Sequence, residues 1–182
     1  MDAILEAGAR ILERDGYERA NVNRIAALAG VSVGSLYQYF PTKEALLAAV
    51  ARRLGEQMLA EFGQDLGDLA FVPLAQGIEG IVAKAMASFR VRPRLRQVLR
   101  DEAPELRAGS DARDFDALLA DAIVLYLETK RAEVRPQNLR LAVGILMVSV
   151  EAIADAFAGD PTVDQEELAR EAAVLVARFL CA

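Results

Sequence analysis

The sequence predicts an all-α protein, and three observations carry that prediction. Of its 182 residues, 54% are apolar and 26% charged, which supports a substantial core and excludes a disordered chain. Apolar residues recur at spacings of three and four through long segments in which glycine and proline are sparse. The alternation of Val, Ile, Thr and Tyr that marks strands is nearly absent. The pattern divides into an N-terminal three-helix head containing a helix-turn-helix and a longer C-terminal helical region, with about nine helices in all. The expected domains are 1–45 and 46–182.

A first helix is expected from about 2 to 14, with Ile4, Leu5, Gly8, Ile11 and Leu12 on one face and Asp15-Gly16 as its stop. Asn21 can cap a second helix, whose inward residues are Val22, Ile25, Ala26 and Leu28 or Ala29. Ala29-Gly30-Val31 reads as the turn, with Gly30 at a positive φ that other residues resist. Ser32 caps a third, very short helix through Tyr39. It breaks at Phe40-Pro41, because proline disfavours helical geometry in the residue before it. Thr42 then caps a fourth helix with Glu44 in its first turn, where a carboxylate suits the helix dipole. Leu46, Leu47, Val50, Leu54, Met58 and Phe62 stripe this helix, expected from 43 to about 62 and followed by a loop over 63–73. Further helices are expected at about 73–91, 93–107, 111–133, 136–158 and 163–180. Their punctuation is Pro93, Ala108-Gly109-Ser110, Pro136 and Gly159-Asp160-Pro161.

The net charge of −6 is unevenly placed, since residues 1–53 hold seven cations against six anions and the rest is strongly acidic. That suits a protein that touches a polyanion with one end only. The chain has no histidine, which removes Ser-His and Cys-His nucleophile pairs and every histidine-bearing metal site. No glycine-rich loop leads into Lys-Ser or Lys-Thr to cradle a phosphate. No enzymatic activity, metal or cofactor is therefore expected. Cys181 is the only cysteine, so an intrachain disulfide is impossible and a reducing compartment is expected. The N-terminus lacks a secretory signal's basic start, and the apolar run Leu141 to Val150 is shorter than the roughly 20 residues that span a bilayer. These features imply a cytoplasmic protein without membrane contact.

Residues 21–43 carry the most chemistry. In a helix-turn-helix the second helix lies in a DNA major groove, its N-terminal residues meet base edges, and flanking elements grip phosphates. Ser32, Val33, Gly34 and Ser35 form that N-terminal end. Gly34 lets backbone approach closely, Ser32 and Ser35 can serve bases or phosphates, and Val33 can contact a thymine methyl. Tyr37, Gln38 and Tyr39 follow, while Leu36 and Phe40 are expected to point inward.

Residues 4–50 closely resemble the N-terminal DNA-binding domain of the TetR family (TetR/AcrR) of bacterial transcription regulators. The resemblance rests on IL-x-AG-x-x-IL at Ile4–Leu12, GY at Gly16-Tyr17, V-x-x-IA at Val22–Ala26, AGVS-x-GSLY-x-YF at Ala29–Phe40 and PTKEALL at Pro41–Leu47. It implies that Tyr37 and Tyr39 hydrogen-bond phosphates, that Gln38 reaches a base or a phosphate, and that Lys43, beside Thr42, contacts a phosphate. The family commonly has Thr or Ser entering the second helix and Arg two positions on. Here Ala20-Asn21 and Asn23-Arg24 stand there, which passes phosphate duty to Asn21, Asn23 and Arg24. The later helices match the family's ligand-binding domain only in number, length and order.

The C-terminal helices are apolar on more than one face. Leu139, Val143, Leu146, Met147 and Val150 make one surface of the helix at 136–158, and Leu141, Ile145, Val148 and Ala152 make another. With Leu168, Leu175, Val176 and Phe179 on the last helix, the first surface is expected to meet its copy in a homodimer; burial within one chain is the alternative. Met58, Phe62, Ile78, Ile81 and Met86, with Phe89, Phe115, Leu119 and Tyr126, are expected to line a pocket for a small effector, or else to be core; Phe71 and Leu118 join that set. Arg92, Arg96 and Arg100 share a helical face that Asp101, Glu102 and Glu105 are near enough to balance, a solvated face or else an anion site. The combined expectation is a dimeric, ligand-responsive regulator, a repressor by family habit, on a palindromic double-stranded DNA operator. The rivals are a helical enzyme or small-molecule carrier whose hairpin does not read DNA, and a purely structural dimerisation protein.

Overall fold

The computed structural model describes residues 1–69, 71–102, 110–158 and 160–181, without the side chains of 61, 64–68 and 110–115. Among the described residues there are nine α-helices, and an isolated antiparallel bridge joins Val134 to Cys181. In chain order the helices are α1 (Asp2–Arg19), α2 (Val22–Ala29), α3 (Val33–Tyr39), α4 (Lys43–Leu69), α5 (Leu74–Phe89), α6 (Pro93–Gln97), α7 (Ser110–Thr129), α8 (Leu139–Ala156) and α9 (Gln165–Leu180). A π-helical turn, Val98–Glu102, continues α6, and a 3-10 turn, Arg131–Glu133, follows α7.

Several expected boundaries shift. The first helix continues to Arg19 because Gly16, at φ 77°, kinks it instead of ending it. The fourth runs on to Leu69, through the expected loop. An isolated glycine such as Gly63 costs a helix only about 1 kcal/mol relative to alanine, and the extension lets Leu69 pack beside Gly80. The helix expected at 93–107 is the short α6 plus its π turn as far as Glu102; residues 103–109, with Glu105 and the Ala108-Gly109 break, lie outside the described residues. At α8 and α9 the starts move to the caps: Asn138 Oδ1 accepts from Leu141 N at 3.0 Å, and Asp164 Oδ1 accepts from Glu166 N at 2.8 Å.

The chain forms two compact units. The first comprises Met1–Gln57 and Arg92–Phe115, and the second Met58–Val91 and Asp116–Ala182. In the first, Leu12, Ile25, Leu36, Leu46, Leu47 and Val98 are fully buried in one apolar core that α1 to α4 share with α6 and the π turn. In the second, α5 packs against both α8 and α9, and Leu74, Ile78, Leu127 and Val143 form the deepest layer. Tyr126 crosses that layer to reach α5 where Gly77 leaves room, since a Cβ on Gly77 would stand 1.8 Å from the phenol oxygen. No helix among the described residues is long and apolar enough to cross a membrane.

Candidate nucleic-acid interface

The helix-turn-helix is built by backbone caps. Asn21 has extended geometry and its Oδ1 accepts from Asn23 N at 2.8 Å, which starts α2. Gly30, at φ 72° and ψ 28°, ends α2 in the left-handed conformation that glycine adopts without strain. Val31 N then donates to Ala26 O at 3.0 Å, closing the turn. Ser32 Oγ accepts from Ser35 N at 3.0 Å and shares a 2.8 Å hydrogen bond with Ser35 Oγ, so the two hydroxyls start α3 together. Thr42 Oγ1 accepts from Ala45 N at 3.0 Å and starts α4.

Two side chains decide which way α3 faces. Leu36 is fully buried and Phe40 is 7% exposed, and both belong to the first unit's core. Their burial turns the opposite surface outward. Tyr37 and Tyr39 are 47% and 59% exposed, and Ser32, Gly34 and Gln38 are exposed beside them. Val33 and Ser35 are half-buried at the edge of this surface. Asn21, Asn23 and Thr42 are exposed on the flanking elements. Hydroxyl, amide and phenol groups over a short helix, with no cation on α3 itself, can read base edges and phosphates by hydrogen bonding.

The two flanking cations are engaged within the unit. Arg24 lies 2.9 Å from Asp15 Oδ2. The hydrogen bond from Arg14, with the charges of Arg14, Arg24 and Arg19, holds the Asp15 carboxyl below the usual carboxylate range. Lys43 is half-buried, and its Nζ donates to Tyr17 O at 2.8 Å and to Glu18 O at 3.4 Å while lying 4.8 Å from the Tyr17 ring centre. Here the lysine caps the carbonyl end of α1, a favoured place for a cation. A phosphate would have to draw it away from those carbonyls.

The residues expected to line the pocket divide. Ile78, Met86 and Tyr126 are buried together in the second unit's core, with Ile81 and Phe89 half-buried against it. Phe62 and Leu119 are buried outside that cluster, Met58 is half-buried, and the Phe115 side chain lies outside the described residues. Phe71 and Leu118 are exposed, so neither lines an interior. The Tyr126 hydroxyl is the one buried side-chain polar atom among the described residues without a hydrogen-bond partner, and burial pushes its ionisation upward.

The surface expected to meet a second copy is corrected. Leu139, Val143, Leu146 and Val150 of α8, and Val176 of α9, are buried within the unit, with Met147 and Leu168 packed partly against them. They form the stripe that packs on α5 and are therefore not available to a partner. The outward apolar face of α8 is Leu141, Ile145 and Val148, and on α9 Val174, Leu175 and Phe179 are exposed. Of the expected interface set only Leu175 and Phe179 face outward. The arginine face meets carboxylates among the described residues. Arg92 pairs with Glu6, and Arg100 Nε donates to Asp101 at 3.0 Å.

Sequence reasoning places Glu102 only as a counter-charge to the arginine face and misses its link to Tyr17. Its carboxylate accepts the Tyr17 backbone N–H at 2.9 Å, from 85 residues away in the chain, and no motif marks it.

A helix-turn-helix with an outward polar reading helix, followed by a helical region with its own apolar core, has the arrangement of a transcription regulator that binds DNA. A family model described as bacterial regulatory proteins, tetR family, matches residues 4–50, and one described as tetracyclin repressor-like, C-terminal domain, matches residues 73–180. The regulator UidR of Escherichia coli strain K12 is 23% identical over 173 residues, covering 93% of this chain and 84% of UidR. The repressor DrrR1 of Streptomyces coeruleorubidus is 33% identical over 98 residues, 54% of this chain, and the match spans 34% of DrrR1's length. The crystal structure of FadR from Bacillus subtilis in complex with stearoyl-CoA shares the fold, with a TM-score of 0.79 at 20% identity over 98% of each chain. The chain belongs to the TetR family of bacterial transcription regulators.

Proposed function

We propose that the protein is a cytoplasmic homodimeric repressor that reads a palindromic operator through paired α3 helices and leaves it when a small, mainly apolar effector binds the second unit. The observation that carries this reading is the outward polar surface of α3, held by buried Leu36. Ser32, Val33, Gly34, Ser35 and Gln38 face base edges, while Tyr37, Tyr39, Asn21, Asn23 and Thr42 serve phosphates. Arg24 and Lys43 join them by exchanging Asp15 and the α1 carbonyls for phosphate. The functional division follows residue 45, with effector recognition in the helices beyond it. Leu141, Ile145 and Val148 with Leu175 and Phe179 supply the surface that a second copy covers. The cluster of Ile78, Ile81, Met86, Phe89 and Tyr126 supports an apolar effector, and a protein of the same fold, FadR, is complexed with stearoyl-CoA. An effector can release DNA only to the extent that it binds the released conformer more tightly.

Selection of bound duplexes from a random pool tests this. The expected product is a palindrome whose half-sites lie about one helical turn apart, roughly 34–36 Å, or a multiple of it. A substitution at Gln38 should shift the selected sequence, since a good base contact discriminates by about 1–3 kcal/mol. Failure to enrich any sequence over the starting pool would refute the reading.

A further inference from the structure

Tyr17 stands at the joint between α1 and the reading pair α2–α3. Because Gly16 leaves helical geometry at φ 77°, the Tyr17 N–H turns out of the α1 ladder, and Glu102 Oε2 accepts it at 2.9 Å. The other side of the same residue is also held, since Lys43 Nζ donates to Tyr17 O at 2.8 Å and lies over the Tyr17 ring. One residue is thus gripped by a carboxylate from the π turn and by an ammonium from the start of α4. The carboxylate is itself aimed, because Arg94 Nη2 donates to Glu102 Oε1 at 3.1 Å. Gly16 and Glu102 fit each other closely, for a Cβ on Gly16 would stand 2.5 Å from Glu102 Oε2. The segment that carries Glu102 is fixed in the same unit, with Leu95, Val98 and Leu99 buried in its core and Arg92 paired to Glu6 of α1.

We propose that Glu102 is a positioning residue for DNA recognition. Its carboxylate fixes the Tyr17 peptide, and through it the kink that sets how α1 delivers the chain into α2. It touches no base and no phosphate. A carboxylate near a polyanion is unfavourable by itself, so its contribution to binding comes through the geometry it imposes on the joint. The role rests on the operator-binding reading above and extends the DNA-binding machinery to a residue far outside 4–50.

The test uses the full chain and the duplex that selection yields, well below the melting temperature of every variant. Glu102→Ala should weaken operator binding about tenfold, the scale of one hydrogen bond to a charged group, and should speed hydrogen exchange at the Tyr17 amide. Glu102→Gln keeps an acceptor oxygen, so Tyr17 should stay protected and affinity should return to within about threefold of wild type. Arg94→Ala, which leaves the Tyr17 bond in place, should behave like Glu102→Gln. A purely structural role would lower the melting temperature of Glu102→Ala without this split between the alanine and glutamine variants in affinity. If wild type binds the duplex and Glu102→Ala binds it equally well, or Glu102→Gln falls as far as the alanine variant, the positioning role is wrong while the regulator reading stands. If wild type enriches no duplex, the regulator reading fails and this role fails with it.

Discussion

The reading helix α3 and the helix α8 differ in length, composition and company, yet each has a face that the fold of its own unit leaves unused. On α3 the core takes Leu36 and leaves hydroxyls, an amide and two phenols outward. On α8 the core takes Leu139, Val143, Leu146 and Val150 and leaves Leu141, Ile145 and Val148 outward. The first unused face is polar and loses little by standing in water until it meets a polar partner. The second is apolar, and it gains only where another apolar surface removes it from water. The difference suits the two faces to different kinds of partner, a polar one for the first and an apolar one for the second. In both cases a buried stripe decides which side is free.

That comparison can be broken most forcefully at Leu36. Truncation to alanine should cost about 2–5 kcal/mol, as for other fully buried leucines, and should abolish operator binding because Leu36 is the anchor within α3 itself, Phe40 holding only its end. Thermal unfolding and a gel-shift titration measure the two effects. A loss below about 0.5 kcal/mol, typical of a surface site, would mean that α3 is held by something other than this side chain.

The corresponding change on α8 should leave the chain folded. Ile145→Glu combined with Val148→Glu places two carboxylates on the outward face, where a monomer tolerates them and a closed dimer would bury them unpaired. Association should weaken by a hundredfold or more, about 2.7 kcal/mol or greater, while helical content stays unchanged. Sedimentation across a concentration series checks it. Wild-type association in the double variant would show that this face stays uncovered in the dimer.

Tyr126 brings the contrast inside the second unit, as a polar atom on the wrong side of an apolar layer. Tyr126→Phe should raise stability by about 1 kcal/mol, because an unsatisfied buried hydroxyl is lost and its ring is kept. The pH dependence has a defined sign. Burial raises the ionisation of this phenol above the ordinary 10.0, so the folded chain holds its proton where the unfolded chain has released it. Stability is therefore complete below about pH 10 and falls as pH climbs toward the folded value. The phenylalanine variant should lack that alkaline loss. Melting curves at pH 7 and above 10 that coincide with wild type would show that the hydroxyl has found a partner.

What was legible in the sequence follows from the same physics. The caps at Asn21, Ser32 and Thr42, the turn at Gly30 and the inward Leu36 depend on interactions within a few residues, so local pattern was sufficient to find them. The stripe on α8 was not resolvable, because two apolar faces satisfy the helical period equally well and only packing against α5 selects one. Arg24 and Lys43 were assigned to phosphate by resemblance, yet long side chains take whichever partner the tertiary fold brings near, here Asp15 and the Tyr17 carbonyl. Glu102 is legible only as an acidic neighbour of the arginines, not as a partner of Tyr17. Its partner is a backbone N–H, which every residue but proline has, so its meeting with Tyr17 could not be read from residue types.

The smallest effect is the most discriminating for α3. Ser32→Ala removes the oxygen that accepts from Ser35 N, and loss of such a cap typically costs about 1 kcal/mol. It also frees Ser35 Oγ from its 2.8 Å partner. Stability should fall modestly for the whole unit, but α3 is only seven residues long and depends on its cap more than a long helix would. Operator affinity should therefore fall further than the melting temperature implies, and glycine at the same position should recover part of it, since glycine caps nearly as well as serine without a hydroxyl to offer to DNA. If glycine restores stability but no affinity, Ser32 touches the duplex itself; if it restores both, the serine acts through the start of α3 alone.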